Sequence, residues 1–145
     1  MEFPRRSGAV AGAVCIGLVL AATGYSAEKV SGHRPVLETQ VGDATIYASH
    51  FDGRKTASGA IFRGDKNMAA HRTYPFGTLV RVTHLRTKRS VNVVILDRGP
   101  YGTNHKEGAI IDLSLSAAKK LGMVREGQAR VKIEVIEWGK GEYRN

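Results

Sequence analysis

The run Leu79-Val80-Arg81-Val82-Thr83-His84-Leu85 alternates apolar and polar residues, and Ser90-Val91-Asn92-Val93-Val94-Ile95-Leu96 answers it across Arg86-Thr87-Lys88-Arg89. Alternation with period two places one face of a strand against a core. The second run becomes apolar on both faces toward its end, as a strand buried on both sides does. It then meets Asp97-Arg98-Gly99-Pro100. A proline cannot continue a central strand because it has no N–H for the ladder. The pair therefore predicts a hairpin with its tip at Thr87-Lys88-Arg89, followed by a carboxylate where a buried strand surfaces.

Further β signals lie on either side. Ala44-Thr45-Ile46-Tyr47-Ala48-Ser49 alternates, and Arg130-Val131-Lys132-Ile133-Glu134-Val135-Ile136-Glu137 places Val131, Ile133 and Val135 on one face. One short helix is expected after Ser114, which suits an N-cap. Ala117, Ala118 and Leu121 favour it, Lys119 and Lys120 complement its C-terminal dipole, and Gly122 stops it. Five or six strands in roughly 95 residues point to a small closed barrel, since closure removes exposed sheet edges.

The ends bound this domain. Residues 1–27 read as a signal peptide: Arg5 and Arg6 supply the positive region, and a small-residue apolar run from Ala9 to Ala22 follows. Cleavage fits after Gly24 or after Ser26. That run falls short of the roughly 20 apolar residues of a membrane span. Cys15 is the sole cysteine, and it lies inside the run with Gly12 three residues before it. Lipidation at Cys15 is not expected, and the mature chain has no disulfide. Residues 28–43 are polar, contain Pro35 and read as a flexible leader; residues 138–145 read as a polar tail. About 118 mature residues make one domain. Without Arg5, Arg6 and Glu2 the balance is 20 basic to 12 acidic residues, a charge of +8. That charge suits an acidic partner; export and the absence of aromatic RNA-binding strand motifs argue against nucleic acid.

Three blocks occur in order: Thr56-Ala57-Ser58-Gly59; Ala69-Ala70-His71-Arg72-Thr73-Tyr74-Pro75-Phe76-Gly77-Thr78; and Asp97-Arg98-Gly99-Pro100 with Ile111-Asp112-Leu113-Ser114. Together they resemble the rare lipoprotein A family of septal-ring lytic transglycosylases, over residues 44–137. The resemblance implies a six-stranded double-psi β-barrel with one short helix, related to the barrels of expansins and some endoglucanases. It implies action on peptidoglycan glycan strands, preferably without stem peptides, in the periplasm or cell envelope. Ala60 stands where that family's first block continues into glutamate.

A lytic transglycosylase needs little machinery. The 6-hydroxyl of the muramyl sugar attacks its own anomeric carbon, so the nucleophile is tethered and no water need be activated. One group that protonates the leaving oxygen and then accepts the hydroxyl proton suffices. Asp97 is the expected acid, with burial at the strand end raising its carboxyl; the residues alone also fit an Asp that merely opens a tight turn. His71 is carried over from the resemblance as the second catalytic candidate, against the plainer role of a histidine packed in a turn. Asp112 reads as a helix-start carboxylate that receives backbone N–H groups and supports the Asp97 loop. Arg98 is expected to reach Asp112. Among the aromatics near the blocks, Tyr47, Phe51, Tyr74, Phe76 and Tyr101, we single out Tyr101 and Phe51 as sugar-stacking candidates. Arg72 is a candidate for the carboxylates of muramic acid. No metal and no cofactor is expected, and a monomer is. The alternative is a non-catalytic, expansin-like glycan-binding barrel.

Overall fold

A computed structural model describes residues 34–142. Residues 1–27, read as a signal peptide with Cys15 inside it, the first part of the stretch read as leader and the end of the tail lie outside the described residues. Six strands, β1 (Glu38–Ile46), β2 (Met68–His71), β3 (Leu79–His84), β4 (Ser90–Asp97), β5 (Ala109–Leu113) and β6 (Gln128–Glu137), close into a barrel in the order β1-β5-β2-β4-β3-β6. β1 runs parallel to β5 and β2 parallel to β4; the other pairs are antiparallel.

The hairpin forms as its alternation requires. Leu79 pairs with Val94 and Thr83 with Ser90. Val80, Val82, Val93 and Ile95 point inward and are fully buried, as do Val131, Ile133 and Val135 of β6. The tip closes without a glycine: Lys88 takes a left-handed φ of 63°. Lys88 N–H bonds the carbonyl of His84 at 2.8 Å. The expected helix is α2 (Leu115–Leu121). Ser114 caps it by accepting from Ala117 N–H, and Gly122 ends it at φ 73°, the αL conformation that a side chain resists. Ala117, Ala118 and Leu121 are its buried face.

Two expectations are corrected. The first strand begins at Glu38, inside the stretch read as leader, so the barrel spans residues 38–137. Residues 38–43 pair with β6 through their backbone, Glu38 opposite Val135 and Asp43 opposite Arg130. Their side chains are largely polar on both faces, so the period-two signal is missing where the ladder is complete. Second, the polar loop after Pro100 contains a single helical turn, α1 (Gly102–Lys106), with no buried residue.

A satellite cluster forms outside the barrel. Ala60, Phe62, Met68 and Leu96 are buried together, with Tyr47 and Val94 against them. Burying these side chains pins residues 53–64 over the end of β4. The Ser58 N–H bonds the Leu96 carbonyl at 3.3 Å. The first of the three blocks is therefore a turn clamped next to Asp97.

Candidate active site

Asp97 and Asp112 lie in one row across the sheet, on strands separated by β2. Thr45 on β1 pairs with Asp112 on β5, Asp112 pairs with Ala70 on β2, and Ala70 pairs with Asp97 on β4. Strands stand about 4.8 Å apart, so the two aspartate backbones are roughly 10 Å apart across Ala70. Ala70 is fully buried and keeps the floor between them low. Both carboxylates line a groove of about 380 Å³, with Tyr47, Phe51, Arg98, Tyr101 and Asn104 among its other walls.

Asp97 is held by three donors. Tyr47 O–H donates to Oδ2 at 2.6 Å, while Ala57 N–H and Arg98 N–H donate to Oδ1 at 2.9 and 2.8 Å. The Ala57 amide explains the first block chemically: the turn aims a backbone N–H at the acid. Burial chiefly, and then the bond to Asp97, raise the Tyr47 phenol well above its ordinary range, so it stays a donor.

Asp112 differs from the sequence expectation. It lies within β5, not at the start of α2, and Ser114 is the cap. Its side chain takes the Thr45 hydroxyl on Oδ1. Burial, above all, and then the charge of Asp97 push its carboxyl above the ordinary range; the Thr45 bond pulls the other way. Asp112 is thus not placed to receive the amide groups of a helix start. Gly99 sits against it: a Cβ there would stand 3.0 Å from Asp112 Oδ2 and 3.6 Å from the Ala70 Cβ, at φ +149°.

Arg98 does not reach Asp112. Its Nη1 donates to the carbonyls of His71 at 3.2 Å and Tyr74 at 2.7 Å, and its Cζ lies 3.9 Å from the Phe76 ring centroid. A planar fork over an aromatic face, with two carbonyls in reach, holds the guanidinium away from the carboxylate. His71 is 4% exposed and has no bond to Asp97. Its Nδ1 accepts the N–H groups of Thr73 and Tyr74 at 3.2 and 3.1 Å, and its ring stacks on Tyr74 at 3.6 Å. Burial is the main cause that brings its pKa down to about 4. A neutral imidazole accepting at Nδ1 carries its proton on Nε2. The second block is therefore a turn locked by His71 and tied through Arg98 to the residue after Asp97.

Tyr101 and Phe51 are 61% and 39% exposed and both line the groove, as sugar-stacking candidates should. Arg72 lies outside the lining and contacts the ring of His105 on α1. Ala60 is buried in the satellite cluster and borders a separate groove with Met68 and Leu96. Sequence reasoning missed Thr45 as a partner and placed Tyr47 only among the nearby aromatics. Their signal was present: both fall on one face of the alternating run that begins at Ala44.

A closed six-stranded barrel of mixed strands with a carboxylate-lined rim defines the double-psi β-barrel class. The Streptomyces papain inhibitor matches it with a TM-score of 0.55 at 21% identity, over 72% of this chain and all of that one. An expansin of Clavibacter michiganensis matches with a TM-score of 0.54 at 23% identity, over 69% of this chain and 51% of that one. Residues 39–133 match the family described as lytic transglycolase, and the chain belongs to that family. Among its relatives, the probable endolytic peptidoglycan transglycosylase RlpA of Aquifex aeolicus is 47% identical over 98 residues, 68% of this chain and 42% of that protein. The endolytic peptidoglycan transglycosylase RlpA of Pasteurella multocida is 45% identical over 96 residues, 66% of this chain and 31% of that protein. The chain spans less than half the length of these curated relatives.

Proposed function

We propose that this protein is exported to the cell envelope and cleaves peptidoglycan glycan strands by lytic transglycosylation, leaving 1,6-anhydromuramyl ends. The observation that carries the proposal is the unequal pair in one groove: Asp97 with three donors, and Asp112 with one donor and a raised carboxyl. Two interacting carboxylates whose environments differ divide acid and base roles between them.

From the sequence, Asp97 was the expected acid; the environments favour moving the donated proton to Asp112. The bond between the muramyl anomeric carbon and its bridging oxygen breaks as Asp112 protonates that oxygen. The 6-hydroxyl of the same sugar forms the new bond to the anomeric carbon and releases its proton to Asp97. Transfer of that proton back to Asp112 restores the pair. Attack within one sugar needs no bound water, which suits an open groove. Tyr101 and Phe51 flank the sugar faces. His71 is a positioning residue in this scheme: it holds the turn whose carbonyls grip Arg98, and so fixes the backbone next to Asp97.

The test is digestion of purified glycan strands, with and without stem peptides, followed by mass analysis. Anhydromuramyl ends are expected from the native protein and are lost in both Asp97→Asn and Asp112→Asn. Glycan binding with no product from the native protein establishes the expansin-like binder instead. Salt-sensitive DNA binding without glycan binding overturns both.

A further inference from the structure

The groove does not end at the carboxylates. Tyr47 and Ala48 also wall a second cavity of about 540 Å³, floored by Phe62, Leu115 and Arg63. Gly64, Asp65 and Leu115 pass in turn into a third cavity of about 440 Å³, bounded by Ser116, Lys119 and Lys120. Shared wall residues make these three cavities neighbours along one stretch of surface. From Asp112 the chain runs three extended residues to Leu115 and one helical turn to Lys119, so the Lys119 backbone lies at most roughly 15 Å from that of Asp112.

Three cations from two segments border two of these adjoining cavities, Arg63 the second and Lys119 and Lys120 the third. Arg63 comes from the loop before β2, and Lys119 and Lys120 from the last turn of α2. Arg63 engages Asp65 only through Nε, at 3.4 Å, so its terminal nitrogens have no partner among the described residues. Lys120 donates to the neutral Asn67 Oδ1 at 3.1 Å. The Lys119 carbonyl accepts the Gly122 N–H at 3.0 Å, but its ammonium has no hydrogen bond or ion pair among the described residues. The two carboxylates nearby are already engaged: Asp65 by Arg63, and Asp52 by Gly64 N–H at 2.7 Å. The helix dipole alone accounts for basic residues in the last turn of α2. It does not account for an arginine from another segment on the adjoining cavity, nor for Leu115, 41% exposed, which borders both cavities.

We infer that Arg63, Lys119 and Lys120 form a distal subsite for a carboxylate carried by the glycan strand. The inference rests on the proposed transglycosylase reading and adds substrate selection to it. Arg72, the residue first considered for this task, is elsewhere, against His105, and Arg98 is spent on two carbonyls. A glycan offers such a carboxylate from two sources, the lactyl group of a stripped muramyl sugar or the acidic residues of a stem peptide.

The experiment uses the full chain and the double variant Lys119→Glu/Lys120→Glu, whose two positions are exposed and outside the core. Three substrates are compared: stripped strands, strands with stem peptides, and stripped strands whose carboxyls have been amidated. KM is expected to rise about 10-fold on a substrate with free carboxylates, the order two partly exposed ion pairs supply. The turnover number should hold, and the amidated strands should show no difference. A rise confined to stripped strands assigns the lactyl group; one confined to peptide-bearing strands assigns the stem peptide. Equal effects on all three substrates, or no effect on any, overturn the subsite. If the native protein cleaves none of them, the transglycosylase reading fails by itself. Equilibrium binding of the same three strands to the native and double-variant proteins then decides the subsite by the same pattern.

Discussion

Replacing Thr45 with valine removes the one hydroxyl bonded to Asp112 and leaves burial and the charge of Asp97 unopposed. A hydrogen bond to a charged group contributes about 1.5–3 kcal/mol. Losing that bond should raise the Asp112 carboxyl further, and because Asp112 is only half-buried the lower energy figure applies. Protonated Asp112 is the proposed donor, so activity falls as pH rises through its pKa. The alkaline limb of kcat/KM should therefore move to higher pH in Thr45→Val, at about 1.4 kcal/mol per pH unit. The sign for stability follows separately. A carboxyl raised in the folded state contributes most below the unfolded pKa, and the contribution is lost as pH rises through the folded value. The variant should thus lose stability near neutral pH, by about 1–2 kcal/mol, and lose less near pH 3. The assay is a pH–rate profile on purified glycan, with carboxyl-carbon NMR titration of Asp112 beside it. An alkaline limb that stays in place or moves toward acid would refute Asp112 as the donor.

Gly99→Ala should lower turnover by 10-fold or more, because a methyl 3.0 Å from Asp112 Oδ2 displaces the carboxyl. The left-handed backbone there should cost about 1–3 kcal/mol as well, and comparing kinetics with thermal melts separates the two effects. His71, brought down to about 4 chiefly by burial, stabilises the fold fully above the ordinary histidine pKa and loses that contribution as pH falls through 4. Melting temperature between pH 7 and pH 4 should fall by the equivalent of about 3 kcal/mol in the native protein, and His71→Asn should flatten that dependence.

The hairpin, β6 and α2 were legible because their signals are local. Val80, Val82, Val131, Ile133 and Val135 alternate, and Ser114 and Gly122 mark the two ends of a helix. The start of β1 was not legible, since residues 38–43 are held by backbone pairing to β6 and show little apolar periodicity. Within the site, Asp97 lies in a block and Phe51 and Tyr101 lie outside the blocks, and all three border one groove. Asp112 was misplaced by its nearness to Ser114, because sequence distance does not tell a strand's last residues from a cap. Arg98 and His71 depended on a turn geometry: which carbonyls a guanidinium finds, and which amides an imidazole accepts, are settled only when Phe76 and Tyr74 pack against them.

The row Thr45, Asp112, Ala70 and Asp97 draws on four strands. Its side-chain bonds join partners 67 residues apart, Thr45 to Asp112, and 50 apart, Tyr47 to Asp97. β1 makes its other ladder with β6, the final strand of the barrel. Neither aspartate therefore acquires its complete environment from nearby sequence, and no fragment ending before the last strand closes the ring. The proposed cleavage becomes an all-or-none property of the finished fold: a chain still emerging, or clipped short, has the acids but not the blade.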